Sequence, residues 1–171
     1  MATAAPPALP RKKLDLQPNA VDWLLSATSL LLFAAALTAL WRGRDEWGEL
    51  PPFVWPHVGT ILVALGLTPV MLLRRRGDRL HRRLGWVWAA AMVLTAGASF
   101  GIRGINEGGL SFIHILSAIV IVQVPMIVWA ARTHRVAMHR SIVRWMIAGA
   151  LIVAGAFTFL PDRVLGDWLL G

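Results

Sequence analysis

The chain has no cysteine and no tyrosine. Without cysteine it can form no disulfide, no thiolate metal site and no thiol nucleophile. Charge is scarce as well: Asp, Glu, Lys and Arg make up only 15% of the residues, against about 25% in a soluble domain. Chemical motifs are missing too. There is no glycine-rich phosphate loop and no HExxH, so kinase and zinc-hydrolase readings have nothing to rest on. No paired carboxylates appear; Asp22 and Glu107 stand alone near the ends of apolar runs. Thr95, Ser99, Ser111 and Ser117 have no nucleophile motif around them.

What remains is apolar. Of the 171 residues, 57% are hydrophobic and the mean hydropathy is +0.62, which points to one domain in a membrane. Five runs approach the roughly 20 apolar residues that a span needs: Val21–Trp41, Phe53–Leu73, Leu84–Ile102, Leu110–Ala131 and Ile142–Leu160. The expected fold is therefore all-α, an integral-membrane bundle of five helices over residues 21–171, behind a disordered cytoplasmic tail over residues 1–20. Trp23, Trp41, Trp55, Trp86, Trp129 and Trp145 sit at or near the run ends, as an aromatic belt predicts. Pro125 is expected to kink the fourth span. Gly97 and Gly101 have the GxxxG spacing and read as a mark of helix packing or of room for a bulky group, rather than of a dimer interface.

The net charge of +8 resembles a nucleic-acid signal, but the basic residues lie in short loops between spans, where topology explains them. Arg11, Lys12, Lys13, Arg74, Arg75, Arg76, Arg79, Arg82, Arg83, Arg132, Arg135, Arg140 and Arg144 fall on one side, and Arg42, Arg44, Arg103 and Arg163 on the other. The positive-inside rule then places the amino terminus in the cytoplasm and the carboxy terminus outside. No nucleic-acid partner is expected. Arg144, one turn beyond Arg140, is expected to snorkel to the lipid headgroups.

Four of the five histidines occupy matching places. His57 and His114 open the second and fourth runs at the outer side; His81 and His139 precede the third and fifth at the inner side. In an antiparallel bundle, His57 can face His114 and His81 can face His139, and two imidazoles at one level can hold a haem iron. At 1.5 Å per residue, His57 lies about 24 Å from the inner end of its helix, so two such levels fall on opposite sides of the bilayer. The inner site requires helices three and five to continue inward through Arg79–Arg83 and Met138–Arg140. Arg82, Arg83 and Arg140 can then pair with haem propionates, or with anionic lipid headgroups. The plainer alternative is structural: each histidine bonds a carbonyl, or a carboxylate such as Asp78, and holds two segments together. His134 has no partner at its height and reads as a loop residue.

This ligand layout resembles that of cytochrome b561-type proteins, whose four histidines pair helix two with four and helix three with five. The residues His81, Arg82, Leu84 and Gly85; Ser111, Ile113 and His114; His139, Arg140 and Met146; and Pro161 and Arg163 resemble the bacterial integral-membrane family catalogued as domain of unknown function 2306, over about residues 53–168. That resemblance implies a multi-pass protein of the bacterial inner membrane and brings no activity of its own. Two functions follow as expectations. One is a b-type haem electron carrier, with His57/His114 and His81/His139 as ligand pairs and a quinone or a membrane redox protein as partner. The other is a cofactor-free subunit or assembly factor of a larger membrane complex.

Overall fold

The computed structural model describes residues 17–102, 109 and 111–171, and every regular element among them is helical. Of the expected tail over residues 1–20, residues 1–16, with Arg11, Lys12 and Lys13, lie outside the described residues, as do residues 103–108, with Arg103 and Glu107, while Asn19 and Ala20 belong to the start of the first helix. Helix α1 (Ala20–Arg42) opens on a reciprocal cap. The Asn19 side chain accepts the Asp22 N–H at 3.3 Å, and the Asp22 carboxylate accepts the Asn19 N–H at 3.1 Å. A 3₁₀ turn (Arg44–Glu49) leads to α2 (Val54–Leu73), then α3 (Arg79–Ser99), α4 (Phe112–Arg132), α5 (Val136–Phe157) and a short C-terminal helix (Val164–Leu170).

Helices α1, α2, α4 and α5 are long and apolar enough to cross a membrane. Helix α3 matches them in length at 21 residues, but its arginine-bearing first turn keeps it out of that class. Both α3 and α5 begin more than a turn before their apolar runs. Arginine is a good helix former, so the charged segments Arg79–Arg83 and Val136–Arg140 continue the rods instead of ending them. Helix α3 also gains an N-cap: the Asp78 carboxylate accepts the His81 N–H at 2.6 Å. At the far end both stop early. Helix α3 ends at Ser99 and α5 at Phe157.

Neighbours in sequence are neighbours in space: α2 packs on α1 and α3, and α4 packs on α3 and α5, while α5 returns to touch α1. Helix α1 is thus part of the bundle. Its buried side chains, Asp22, Leu25, Ser26, Ser29, Leu32, Ala36, Ala39 and Leu40, recur every three or four positions, and half of them are serine or alanine. Such small residues let helices approach closely where lipid removes the usual hydrophobic drive. The central core joins Leu65, Trp88, Met92, Val124, Met146 and Leu151 from all five rods except α1, which adds Leu25 and Leu32. Trp88 is 6% exposed and donates through Nε1 to Thr68 Oγ1 at 3.1 Å, so its polar end is satisfied inside the bundle.

Helix α4 runs unbroken through Pro125, which removes only the donor to the Ile121 carbonyl. In α5, α-helix (Val136–Met146) gives way to a π segment (Ile147–Val153) and returns to α-helix (Ala154–Phe157). The π segment places Ile147 and Leu151 in the core, each 1% exposed. Of the two glycines in the GxxxG spacing, one serves close packing. A Cβ on Gly97 would meet nothing, whereas one on Gly101 would collide with the Phe53 ring. Gly43 is confined in the same way by Trp168 of the C-terminal helix. Trp168 also donates to Glu46 Oε2 at 2.9 Å, and Arg42 donates to the Leu169 carbonyl, so the C-terminal helix is clamped to the end of α1.

Trp23, Trp41 and Trp129 are exposed near the rod ends, Trp86 is exposed two turns into α3, and Trp145 is exposed near the middle of α5. Arginines cover three of them: Arg44 over Trp41 at 5.1 Å, Arg132 over Trp86 at 5.9 Å and Arg135 over Trp129 at 4.4 Å. Trp55 departs from the belt. It is half-buried against the edge of Trp47, with ring centroids 5.1 Å apart.

Candidate functional site

The most concentrated chemistry lies at the end of the bundle where α1, α3 and α5 begin and α2 ends. Asp22 sits one turn into α1 and its side chain is fully buried. Three guanidinium groups converge on its two oxygens. Arg76, from the α2–α3 connection, donates to Oδ2 at 2.6 Å. Arg140 of α5 donates to Oδ2 at 3.0 Å. Arg144, one turn further, donates to Oδ1 through Nε at 2.9 Å and Nη2 at 2.7 Å, and its Nη2 also reaches Asn19 Oδ1 at 2.7 Å. A buried carboxylate is costly unless paired and fully hydrogen-bonded, and here it has both. The cluster ties the start of α1 to segments 54, 118 and 122 residues away in sequence.

This corrects two expectations. Asp22 is not a solitary interfacial acid, and Arg144 turns inward to it and does not snorkel to headgroups. Arg140, read as a propionate partner, is engaged with Asp22. Arg82 and Arg83 remain exposed, Arg82 with its Nη1 on the Gly77 carbonyl at 2.7 Å.

The inner histidines lie beside this cluster, both in the first turn of their helices. His139 places Nδ1 3.1 Å from the Ile127 carbonyl of α4. A carbonyl only accepts, so Nδ1 carries the hydrogen and Nε2 keeps its lone pair. That is the arrangement by which proteins orient a metal-ligating histidine. His139 is within electrostatic reach of His81. The Nδ1 of His81 is buried and has no partner. Asp78 does bond His81, but to its backbone N–H rather than its ring. That N–H, with the Arg74 guanidinium behind it, holds the Asp78 carboxyl below the usual carboxylate range.

The outer histidines both meet the last turns of α3. His57 Nδ1 lies 2.9 Å from Ser99 Oγ and 3.2 Å from the Thr95 carbonyl. Ser99 Oγ gives its own hydrogen to the Thr95 carbonyl at 2.8 Å, so Nδ1 of His57 is the donor and Nε2 keeps the lone pair. His114 has the opposite tautomer. Its Nδ1 accepts the Ser111 N–H at 2.9 Å, closing the cap of α4, which puts the hydrogen on Nε2. That nitrogen is buried without a partner, and the ring lies against Phe100 with centroids 5.7 Å apart. A protonated Nε2 cannot ligate a metal, so His114 as capped does not match the metal-ligand role read for it in the sequence. His134 adopts a left-handed backbone (φ 56°) in the turn before α5, as a loop residue.

By their hydrogen bonds, His139 and His57 keep an Nε2 lone pair that a haem iron could take, and His114 does not. Among the described residues, no three His, Asp or Glu side chains converge in the way a metal site built from protein ligands alone requires. What sequence reading missed is the Asp22 cluster. Its one local signal is the Asn19-x-x-Asp22 spacing, which marks a helix start but says nothing of the arginines. No family model, no curated protein and no solved structure matches the chain.

Proposed function

We propose that the chain is a five-span protein of the bacterial inner membrane, with its amino terminus in the cytoplasm, that carries electrons through one b-type haem. His81 and His139 would hold the iron at the basic end of the bundle. The observation that carries this reading is the pair itself: His139 is fixed through Nδ1 with its Nε2 lone pair available, and lies within electrostatic reach of a half-buried His81 whose Nδ1 has no partner among the described residues. Two further features support it. Helices α3 and α5 both extend through their arginine-rich starts, as an inner site requires, and α3 and α5 scarcely touch each other among the described residues. Arg82 and Arg83 stand at the same level, exposed, where propionates would emerge.

When bound, the haem supplies one-electron transfer. The chain's own part is to orient and to shield. The Ile127 carbonyl sets the tautomer of His139, and Met146 and Ile147 close the core beyond it. The partner is a quinone or a second redox protein. The test is the visible spectrum of detergent-purified protein from haem-replete cells. A Soret band with sharp α and β bands after dithionite, lost in His139→Ala, supports the reading; a colourless preparation overturns it.

A second reading is that the chain is a cofactor-free subunit of a larger membrane complex. The outer histidines favour it, because hydrogen bonds of His57 staple α2 to α3 and those of His114 cap α4. The colourless preparation is the result this second reading predicts.

A further inference from the structure

Gln123 is the one amide side chain within a described helix. It lies near the middle of α4, about 17 Å from the Phe112 end and about 14 Å from the Arg132 end at 1.5 Å per residue. Its side chain is too short to snorkel to either headgroup layer over that distance. Other polar groups at depth bond within the bundle. Thr60 Oγ1 pairs with Thr95 Oγ1 at 2.7 Å, Thr68 Oγ1 donates to the Ala64 carbonyl at 2.8 Å, and Ser117 Oγ donates to the Ile113 carbonyl at 3.1 Å. Ser29 Oγ has no partner among the described residues but is sealed inside. Gln123 is different. It is partly exposed, which at this depth means exposed to lipid, and its amide makes no hydrogen bond among the described residues. An amide left unpaired in hydrocarbon is costly.

The neighbours of Gln123 say what pairs with it. Phe112, Leu116, Ile119, Gln123 and Met126 recur at alternating steps of four and three, and each is at least partly exposed. That spacing is the seam along which two helices wind round each other, and a single polar residue in the seam fixes its register. The seam stops at the next position, Ala130, which is fully buried in the chain's own bundle. A glutamine amide has a donor end with partial positive charge and a carbonyl end with partial negative charge. Across a twofold axis a second amide runs antiparallel to the first, so each donates to the other and accepts in return. A copy of this chain supplies that charge complementarity by symmetry, at the right depth and in the right register. We propose that the chain forms a parallel twofold dimer in the membrane through α4, with Gln123 hydrogen-bonded to the partner's Gln123 and Leu116, Ile119 and Met126 packed along the seam.

This rests on the membrane-spanning reading and not on haem. The chain has no cysteine, so an introduced thiol is the only one present. Ile119→Cys, Met126→Cys and Ile121→Cys are each reconstituted in vesicles as full chains and oxidised. The first two are expected to form disulfide-linked dimers. Ile121 is exposed too, but two positions from Gln123 puts it on the opposite side of the helix, and Ile121→Cys is expected to stay monomeric. Förster transfer between donor- and acceptor-labelled chains, followed as lipid is added, gives the strength of association. Gln123→Leu keeps the volume and suits lipid, and is expected to move the dilution midpoint to a roughly tenfold higher chain-to-lipid ratio, the worth of two interhelical hydrogen bonds. An unmoved midpoint overturns the proposal. Cross-linking of Ile121→Cys as readily as Ile119→Cys overturns it as well, whether or not Gln123→Leu folds. Wild-type chains that show no transfer at any dilution also overturn it, and leave the amide to another protein or to lipid. Extraction of the chain from vesicles by carbonate refutes the membrane reading itself, an outcome separate from loss of the dimer.

Discussion

Replacing Asp22 by asparagine tests what holds α1 to the bundle. The side chain is fully buried, and its two oxygens accept from Arg76, Arg140 and Arg144 at 2.6–3.0 Å. Asparagine preserves the volume but removes the charge and turns one acceptor into a donor aimed at an arginine donor. Three guanidinium groups are then left at one end of the bundle without their carboxylate. Breaking a buried ion pair from one side costs about 3–5 kcal/mol, and the Asn19 N–H also loses an acceptor. The damage should be local. The start of α1 is expected to detach while α2–α4 keep their packing through Trp88, Met92 and Val124. Denaturant titration in mixed micelles gives the stability loss, and hydrogen exchange shows where it falls. Removing the arginine that makes two bonds to Asp22 in the same background, Asp22→Asn with Arg144→Met, should recover part of it, because the guanidinium that lost those bonds is gone. A loss below about 0.5 kcal/mol, the scale of an ordinary surface substitution, would refute the reasoning. So would exchange rates that rise evenly along the chain.

Two further outcomes follow from single contacts. Thr68→Val leaves the buried Trp88 Nε1 without its acceptor and should cost about 1–3 kcal/mol, read by the same titration and by a shift in tryptophan emission. Asp78 gives a pH dependence of definite sign. Its carboxyl is held below the usual range by the His81 N–H and then by Arg74, so the N-cap of α3 is at full strength above the unfolded-state value of about 3.9. It is lost as pH falls through the lowered folded-state value. Hydrogen exchange in the first turn of α3 should accelerate at acid pH, and Asp78→Asn, still a capable cap, should flatten that dependence.

The positions of the four long apolar helices α1, α2, α4 and α5 were legible because about twenty apolar residues in a row admit few other structures. The starts of α3 and α5 were not. Arg79, Arg82, Arg83 and Arg140 look like loop residues by hydropathy, yet they are helix formers, and the Asp78 cap that starts α3 lies outside the apolar run. The segregation of arginines correctly brought Arg76, Arg140 and Arg144 to one end, but nothing local pointed them at Asp22. Long side chains reach partners more than a hundred residues away only once the helices have packed. That His57 and His114 lie at the far end of α3 from His81 was also legible. Whether each histidine offers a lone pair or a hydrogen was not, because that depends on a single neighbour: the Ile127 carbonyl for His139, the Ser111 N–H for His114. The fate of Gly97 and Gly101 turned on helix rotation, which spacing alone does not specify.

The measurement that bears most directly on the proposed function is the haem content of four single variants, assayed as reduced-minus-oxidised difference spectra per mole of chain. With one haem on the inner pair, wild type carries one equivalent, His81→Ala and His139→Ala carry none, and His57→Ala and His114→Ala keep it. Retention in His81→Ala and His139→Ala, loss in the two outer variants, or no haem in wild type would contradict it.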